Sequence, residues 1–303
     1  MYGAAVLSQV RDLDLQLLRL FVCVVESGGF SAAQGELGIG QSTISTQMAK
    51  LETRLGFRLC ERGKAGFRLT PKGEQVLLAT RKLFGAIDTF KGEAQGMADK
   101  LLGTLNIGLS EALDNQVLER LGAAIGRFRQ RNQAVQIELL SAMPAELERR
   151  LLQDQLHLAI GYFSAAQAAL YHRLLFEEEQ ALYCGVGHPL FDQPSVSREQ
   201  LLEQDGVHHP YRFIQPEQLW QSAASSARSE QVEGSLTFVL SGAHIGYLPR
   251  HIAAPWEARG LLRALVPEQL GFRVQFHLAS HRGRQPSEAQ LAFVEDLLGA
   301  FTR

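Results

Sequence analysis

Gln41-Ser42-Thr43-Ile44-Ser45-Thr46-Gln47-Met48-Ala49-Lys50-Leu51-Glu52-Thr53-Arg54-Leu55, residues 41–55, is the stretch on which the reading of this chain turns. Ile44, Met48, Leu51 and Leu55 recur at spacings of four, three and four, the inner stripe of an amphipathic helix. At 100° per residue Ser42, Thr46, Ala49 and Thr53 point the other way, flanked by Thr43, Ser45 and Lys50. A helix that faced only water would more often carry long Glu and Lys side chains there. Small hydroxyl and amide groups suit a helix that enters a major groove, because they approach bases and phosphates without steric conflict.

The flanking sequence supplies the rest of a compact unit. Upstream, Leu15, Leu18, Val22 and Val25 read as the stripe of a first helix, which Ser27-Gly28-Gly29 ends. Ser31 reads as the N-cap of a short second helix through about Leu37, and Gly38-Ile39-Gly40 as a tight turn into residues 41–55. Downstream, residues 57–70 read as two short strands around a Gly-containing loop, with Arg62 and Lys64 at its tip. Such a wing can reach a neighbouring minor groove or phosphates.

The formal net charge is −2, which by itself argues against nucleic acid. Its distribution argues otherwise. Between Thr46 and Lys72, Lys50, Arg54, Arg58, Arg62, Lys64, Arg68 and Lys72 face only Glu52 and Glu61. A basic patch on an acidic chain attracts phosphate locally. A solvated charged face would show the same run, and the motif beside it decides between the two.

The stretch from Leu15 to Thr70 resembles the DNA-binding domain of LysR-type transcriptional regulators. The resemblance is carried by Leu20-Phe21-Val22, Gly29-Phe30-Ser31-Ala32-Ala33, Gln41-Ser42-Thr43-Ile44-Ser45, Leu51-Glu52 with Leu55-Gly56, and Leu59-Glu61-Arg62 with Leu69-Thr70. It implies double-stranded DNA as a partner, with Ser31, Gln41, Ser42, Thr43, Ser45, Thr46, Lys50, Arg54, Arg62 and Lys64 as DNA-binding residues. Gln34, Gly35 and Thr46 depart from the family pattern; Thr46 stands where Arg is common.

From Pro71 the chain shows Val76, Thr80, Leu83, Ile87, Phe90, Ala94, Met97 and Leu101, an alternation of four and three that asks for a partner helix. At 1.5 Å per residue this helix would be about 45 Å long, more than one small domain buries. The resemblance implies a homodimer through this helix, pairing into a homotetramer, and RNA polymerase as a further partner.

After Gly103 strand and helix alternate: a strand at 105–109, a helix at 114–131, a strand at 135–140, a helix at 145–155 and a strand at 157–163. This is a βαβαβ unit with a parallel sheet. A second unit follows, with a strand at 181–186, helices near 198–203 and 216–224, and a strand at 245–248. A strand at 272–280 then leads to a final helix at 287–301. Two α/β subdomains between which the chain crosses and returns leave a cleft at their junction.

The resemblance extends here to the family's effector domain, which is similar to periplasmic binding proteins; Val239-Leu240-Ser241-Gly242-Ala243-His244-Ile245-Gly246-Tyr247-Leu248-Pro249 carries it. It implies a small-molecule effector in a cleft lined by Ser110, Met143, Pro144, Tyr162, Phe163, His208, His209, Phe213 and His244. Pro144 stands where Ser or Thr often holds an effector carboxylate, and His244 where Gly is usual. The aromatic and histidine residues hint at an aromatic or carboxylated metabolite.

The fold class expected is therefore α+β and multidomain. A winged helix-turn-helix occupies 1–70, a linker helix 71–101, and a two-subdomain, periplasmic-binding-protein-like effector domain 102–303. Its first subdomain takes about 102–176 and 270–303, its second about 177–269. An enzyme is not expected, since the chain has no GxGxxG, no phosphate-binding Gly-Lys-Ser/Thr loop, no Gly-x-Ser-x-Gly elbow and no His-Glu-x-x-His. No cofactor is expected, and no metal, because adjacent histidines project differently and His208-His209 has no ligand set at the right spacing. A solute-binding transport protein would have no use for the first hundred residues, and a purely architectural DNA binder none for a cleft. Three scattered cysteines, Cys23, Cys60 and Cys184, make no disulfide framework. With no basic-then-apolar leader at residues 1–14 and no run of about 18 apolar residues, a cytoplasmic location away from any membrane is expected.

Overall fold

The computed structural model describes residues 10–63, 66–96, 101–163, 167–208 and 226–302, with backbone alone at 62, 63, 66, 88, 89 and 91–96. The chain divides into two compact units between Asp88 and Thr89.

The first unit is built from α1 (Asp12–Glu26), α2 (Ala33–Leu37), α3 (Gln41–Leu55), the hairpin β1 (Cys60–Gly63) and β2 (Gly66–Leu69), and the start of α4 (Pro71–Gly96). All four apolar residues of the α3 stripe are buried, three of them without exposed surface. They pack on Leu17, Leu20, Phe21 and Val24 of α1 and on Leu59. The α1 stripe differs from expectation. Leu17, Leu18, Leu20, Phe21 and Val24 are buried, while Leu15, Val22 and Val25 are only partly covered. Apolar neighbours from α2, α3 and α4 join the same cluster, so α1 hides a wider arc than a single stripe.

Ser31 does not cap α2. That helix starts at Ala33 with Ala32 as N-cap, because residues 30–32 form a turn first. The β1–β2 hairpin is antiparallel, with Cys60 opposite Leu69. Glu52 of α3 accepts the backbone N–H groups of Leu59 (2.7 Å) and Cys60 (3.3 Å) and so fixes where the hairpin leaves the helix. Thr70 Oγ1 accepts the Gly73 N–H at 3.0 Å and caps α4. Gly73 itself is obligatory, since a Cβ there would stand 2.0 Å from the Leu59 carbonyl oxygen.

The long helix is shorter than its seam suggests. It is described to Gly96; Met97 lies outside the described residues, and Leu101 belongs to a strand. At 26 residues it spans about 39 Å. Leu77 and Thr80 are buried, and Val76, Leu83 and Phe84 pack on the core of the first unit. The first half of the seam thus serves its own domain. Phe90, further along, is 68% exposed.

The second unit runs β3 (Leu101–Leu109), α5 (Asn115–Gln130), β4 (Gln133–Ser141), α6 (Pro144–Leu152), β5 (Leu158–Tyr162), β6 (Leu170–Gly185), α7 (Arg198–Leu202), β7 (Val207–His208), β8 (Ala227–Arg228), α8 (Val232–Leu240), β9 (Ile245–Pro249), α9 (Arg250–Glu257), β10 (Leu262–Ala264), α10 (Pro267–Leu270), β11 (Phe272–His281) and α11 (Glu288–Phe301). β3 lies parallel between β4 and β5, the expected βαβαβ arrangement. Asp114 caps α5 through the Gln116 N–H, and Ser287 caps α11 through the Gln290 N–H. The second subdomain's strand begins eleven residues before the expected 181, at Leu170. This longer β6 pairs antiparallel with β11 along nearly all of β11. The lower half of β6 shares a lobe with β3–β5, and its upper half pairs with β9 and β10. The helix expected at 216–224 lies outside the described residues. Phe128 and Phe293, both without exposed surface, meet edge to face at 5.6 Å and lock α5 to α11 under the first lobe.

Candidate functional site

In the first unit α3 turns Ser42, Thr43, Thr46, Ala49 and Lys50 outward, all exposed, with Ser45 half-buried beside them. Gln41 and Ser31 are exposed at the same end. Gly40 precedes α3 and has no side chain to cap its first amides; the Gln41 N–H donates to Gln34 Oε1 at 3.3 Å instead, and the Thr43 N–H to the Gly40 carbonyl at 3.0 Å. The hydroxyls of Thr46 and Thr53 bond back to the carbonyls of Ser42 and Ala49, at 2.9 and 2.8 Å, so each offers chiefly its methyl group and oxygen lone pairs outward. Arg62 stands in β1, with only its backbone described, and Lys64 lies outside the described residues.

Arg54 departs from the expected role. Its guanidinium grips the carboxylate of Asp14 through both Nε and Nη2, the latter at 2.6 Å. Asp14 has no exposed surface and also accepts the Arg11 N–H at 2.9 Å, which closes the start of α1. Arg54 is therefore committed to joining α3 to α1, and no donor of its fork that the pair uses is free for phosphate. The hydrogen bond from Arg54 holds the Asp14 carboxyl below its usual range, against the opposing cost of burial.

In the second unit a cavity opens between the lobes, with about 540 Å³ of space including its mouth. From the first lobe it is lined by Ser110, Glu111 and Ala112 after β3, Pro144 at the first turn of α6, and Tyr162 at the end of β5. Val232, Tyr247 and Pro249 face them from the second lobe, and Glu178, Gln180, Val274 and Phe276 come from the crossing strands β6 and β11. The strand ends and the N-termini of α6 and α8 meet here because the chain passes twice between the lobes. The His251 ring of α9 donates from Nε2 to the Ala112 carbonyl at 3.0 Å, a bond from one lobe to the other. Ala112 adopts a left-handed φ of 54°, a strained conformation for a residue with a Cβ, at the point where the loop enters the cleft.

Ser110, Pro144 and Tyr162 of the expected effector residues line this cavity. Met143 is the N-cap of α6 and is not among the lining residues. Phe163 is buried in the core under α6, edge to face with His172. Its ring follows the strand's last inward residue, where alternation turns it away from Tyr162. His208 is exposed on the small β7 strand. His244 lies beside Ser226 (3.2 Å) and the Phe238 ring, just before β9, and is not among the lining residues. His209 and Phe213 fall outside the described residues.

Sequence reading missed Glu111, Glu178 and Gln180. Glu178 is buried, accepts a hydrogen bond from Gln180 at 2.7 Å, and is pushed up to about 8 by burial, with Asp114 adding to the effect. The Glu111 carboxyl is also raised, by burial and by Glu233, while a hydrogen bond from the Val232 N–H opposes the rise. The signal was present in sequence: in a strand, one of the run Glu177-Glu178-Glu179 must face opposite to its neighbours.

Residues 15–74 match the family profile described as bacterial regulatory helix-turn-helix protein, lysR family, and residues 98–302 match the LysR substrate binding domain. The chain is 36% identical over 292 residues to the HTH-type transcriptional activator BauR of Pseudomonas aeruginosa, covering 95% of this chain and 96% of that protein. It is 28% identical to a probable hydrogen peroxide-inducible genes activator of Mycobacterium leprae, over 91% of each. Among solved structures a full-length OxyR variant from Pseudomonas aeruginosa superposes with a TM-score of 0.66 at 20% identity, covering 97% of this chain and 95% of that one. CbnR, a LysR family transcriptional regulator, superposes at 0.61 and 18% identity, covering 95% and 99%. With both profiles matched in order and a relative aligned from end to end, the chain belongs to the LysR family of bacterial transcriptional regulators: a DNA-binding protein governed by an effector, and not an enzyme.

Proposed function

We propose that the protein binds a palindromic promoter site as a dimer of reading heads, with α3 in the major groove and the wing on the neighbouring backbone. The exposed hydroxyl face of α3 carries this reading. Ser42, Thr43, Ser45 and Thr46 contact bases and sugar-phosphate, Gln41 and Ser31 position the helix end, and Lys50, Arg62 and Lys64 supply cations; Arg54 is left out of this set, its Nε and Nη2 being bonded to Asp14. A solved complex of CbnR holds that protein on its target DNA, which supports the same docking for this fold. The DNA-binding domain occupies 1–70, the linker helix begins at Pro71, and the effector domain divides into lobes at about 102–176 with 270–303 and at about 177–269. The exposed Phe90 supports α4 as the dimer seam, and dimers pair into tetramers. Occupancy of the cleft shifts the lobes and so the spacing of the heads, which alters contact with RNA polymerase.

The test is a gel shift on the protein's own upstream region with Ser42, Thr43 and Arg62 replaced by Ala. Retention is expected to weaken at least about tenfold, the loss of several contacts worth about 1–3 kcal/mol for each good base pairing. Unchanged retention would remove α3 as the reading helix.

A further inference from the structure

Between them, the two helix N-termini at the cleft offer little to an anion. Pro144 is the first residue of α6 and has no N–H. The Val232 N–H at the start of α8 faces the Glu111 carboxyl of the other lobe, where it opposes the rise that burial and Glu233 impose on that carboxyl. No Lys, Arg or His is among the described residues that line the cavity, whereas two carboxyl groups are. A ligand carboxylate entering here would meet Glu111 at the amide it needs, and Glu178 behind it.

The same features suit a cation. Ser110 is only 6% exposed, lines the cavity, and its Oγ has no hydrogen-bond partner among the described residues; Glu111 Oε1 is likewise buried without one. A buried hydroxyl and a carboxylate oxygen left unpartnered are costly unless a donor arrives. We propose that the cleft takes a small molecule bearing a protonated amine, its ammonium group held by the carboxylates of Glu111 and Glu178 with Ser110 Oγ as a further acceptor. The apolar remainder, Val232, Val274 and Phe276, accommodates a short carbon skeleton. This rests on the inter-lobe cavity being the effector site, and it replaces the expectation of an aromatic or carboxylated metabolite.

Glu178 is faced by Asp114, His251 and Gln180; His251 Nδ1 lies 3.7 Å from its carboxylate and 3.8 Å from that of Asp114. With a carboxyl pushed up to about 8, Glu178 holds its proton at pH 7 until a cation arrives, and the proton then leaves to solvent. Binding at pH 7 should therefore release a proton, seen as a heat that varies with the buffer's ionisation enthalpy.

The experiment is calorimetry and thermal melting of the full chain with n-butylamine and butanoate at pH 7. Butylamine is expected to raise the melting temperature and butanoate to leave it unchanged. Glu178→Gln and Glu111→Gln are isosteric and should each weaken butylamine about tenfold, with the buffer-dependent heat reduced in Glu178→Gln. Gln still donates hydrogen bonds, so a carboxylate ligand would survive Glu178→Gln. Butanoate binding that survives there but is lost in Ser110→Trp would overturn the amine class and leave the cleft standing. Binding of either probe that persists in Ser110→Trp, with the fold of that variant checked by circular dichroism, would place the ligand elsewhere and remove the cleft itself. No butylamine response in the wild type, or a buffer-independent heat, would overturn the assignment.

Discussion

Arg54→Ala is expected to lower the stability of the N-terminal unit by about 2 kcal/mol while leaving the salt dependence of DNA binding unchanged. Removing one partner of a buried ion pair generally costs about 3–5 kcal/mol, because the other charge stays buried without compensation. Here the smaller value applies. Arg54 is 28% exposed and is itself the cover over Asp14, so truncation lets water reach the carboxylate. Asp14→Asn checks the cause. Asp14 is held below its unfolded value, so its contribution is present above about pH 4 and fades as pH falls through the lower, folded value. Urea unfolding of wild type and Asp14→Asn should differ at pH 7 and draw together as pH falls from about 4 through the lower, folded value. A gap that persists into acid would assign the loss to packing rather than charge. A reduced salt slope in folded Arg54→Ala would return Arg54 to the phosphates.

Phe293→Ala should cost the effector domain about 3–5 kcal/mol, the usual penalty for removing a buried ring from a packed core. Phe293 has no exposed surface and packs with Leu121, Ala124 and Phe128 of α5 and with β3 strand residues Leu105 and Ile107. The end of β3 carries Ser110, whose N–H donates to Ile160 of β5 at 2.8 Å, so the cavity's first wall hangs on this core. Denaturant unfolding should report a second transition shifted to lower concentration, with the N-terminal transition in place. A loss under about 1 kcal/mol would mean that α11 collapses onto the void, and the Phe128 contact would lose its assigned part in holding the lobe.

What sequence made legible followed local periodicity. α3 starts and stops where its stripe does, since Gly40 and Gly56 bracket an unbroken 3.6-residue pattern. The parallel β3–β5 unit was legible from alternation of helix and strand. What depends on distant partners was not. Arg54 reads as one more cation in a basic run, because Asp14 lies forty residues away. Leu101 continues the heptad of α4, yet its backbone N–H bonds to the Asn132 carbonyl and its register puts it opposite Gln133, so the sheet claims it. The strand expected at 181–186 leaves out the first half of β6, because that half is a charged, partly exposed crossing ribbon without the apolar run that marks a buried strand. For that reason the carboxyl groups of the cleft escaped notice, while Ser110, Pro144 and Tyr162, each at the end of a legible strand or the start of a helix, did not.

The most direct measurement is the affinity of the full chain for its upstream DNA as a function of salt, with and without Lys50→Ala. Lys50, Arg62 and Lys64 from each of two heads give about six phosphate contacts, so log K should fall against log salt with a slope near −5. Lys50→Ala should reduce that slope by about 2, one contact per head. An affinity indifferent to ionic strength, or a slope that Lys50→Ala leaves untouched, would contradict a cationic helix face resting on the duplex.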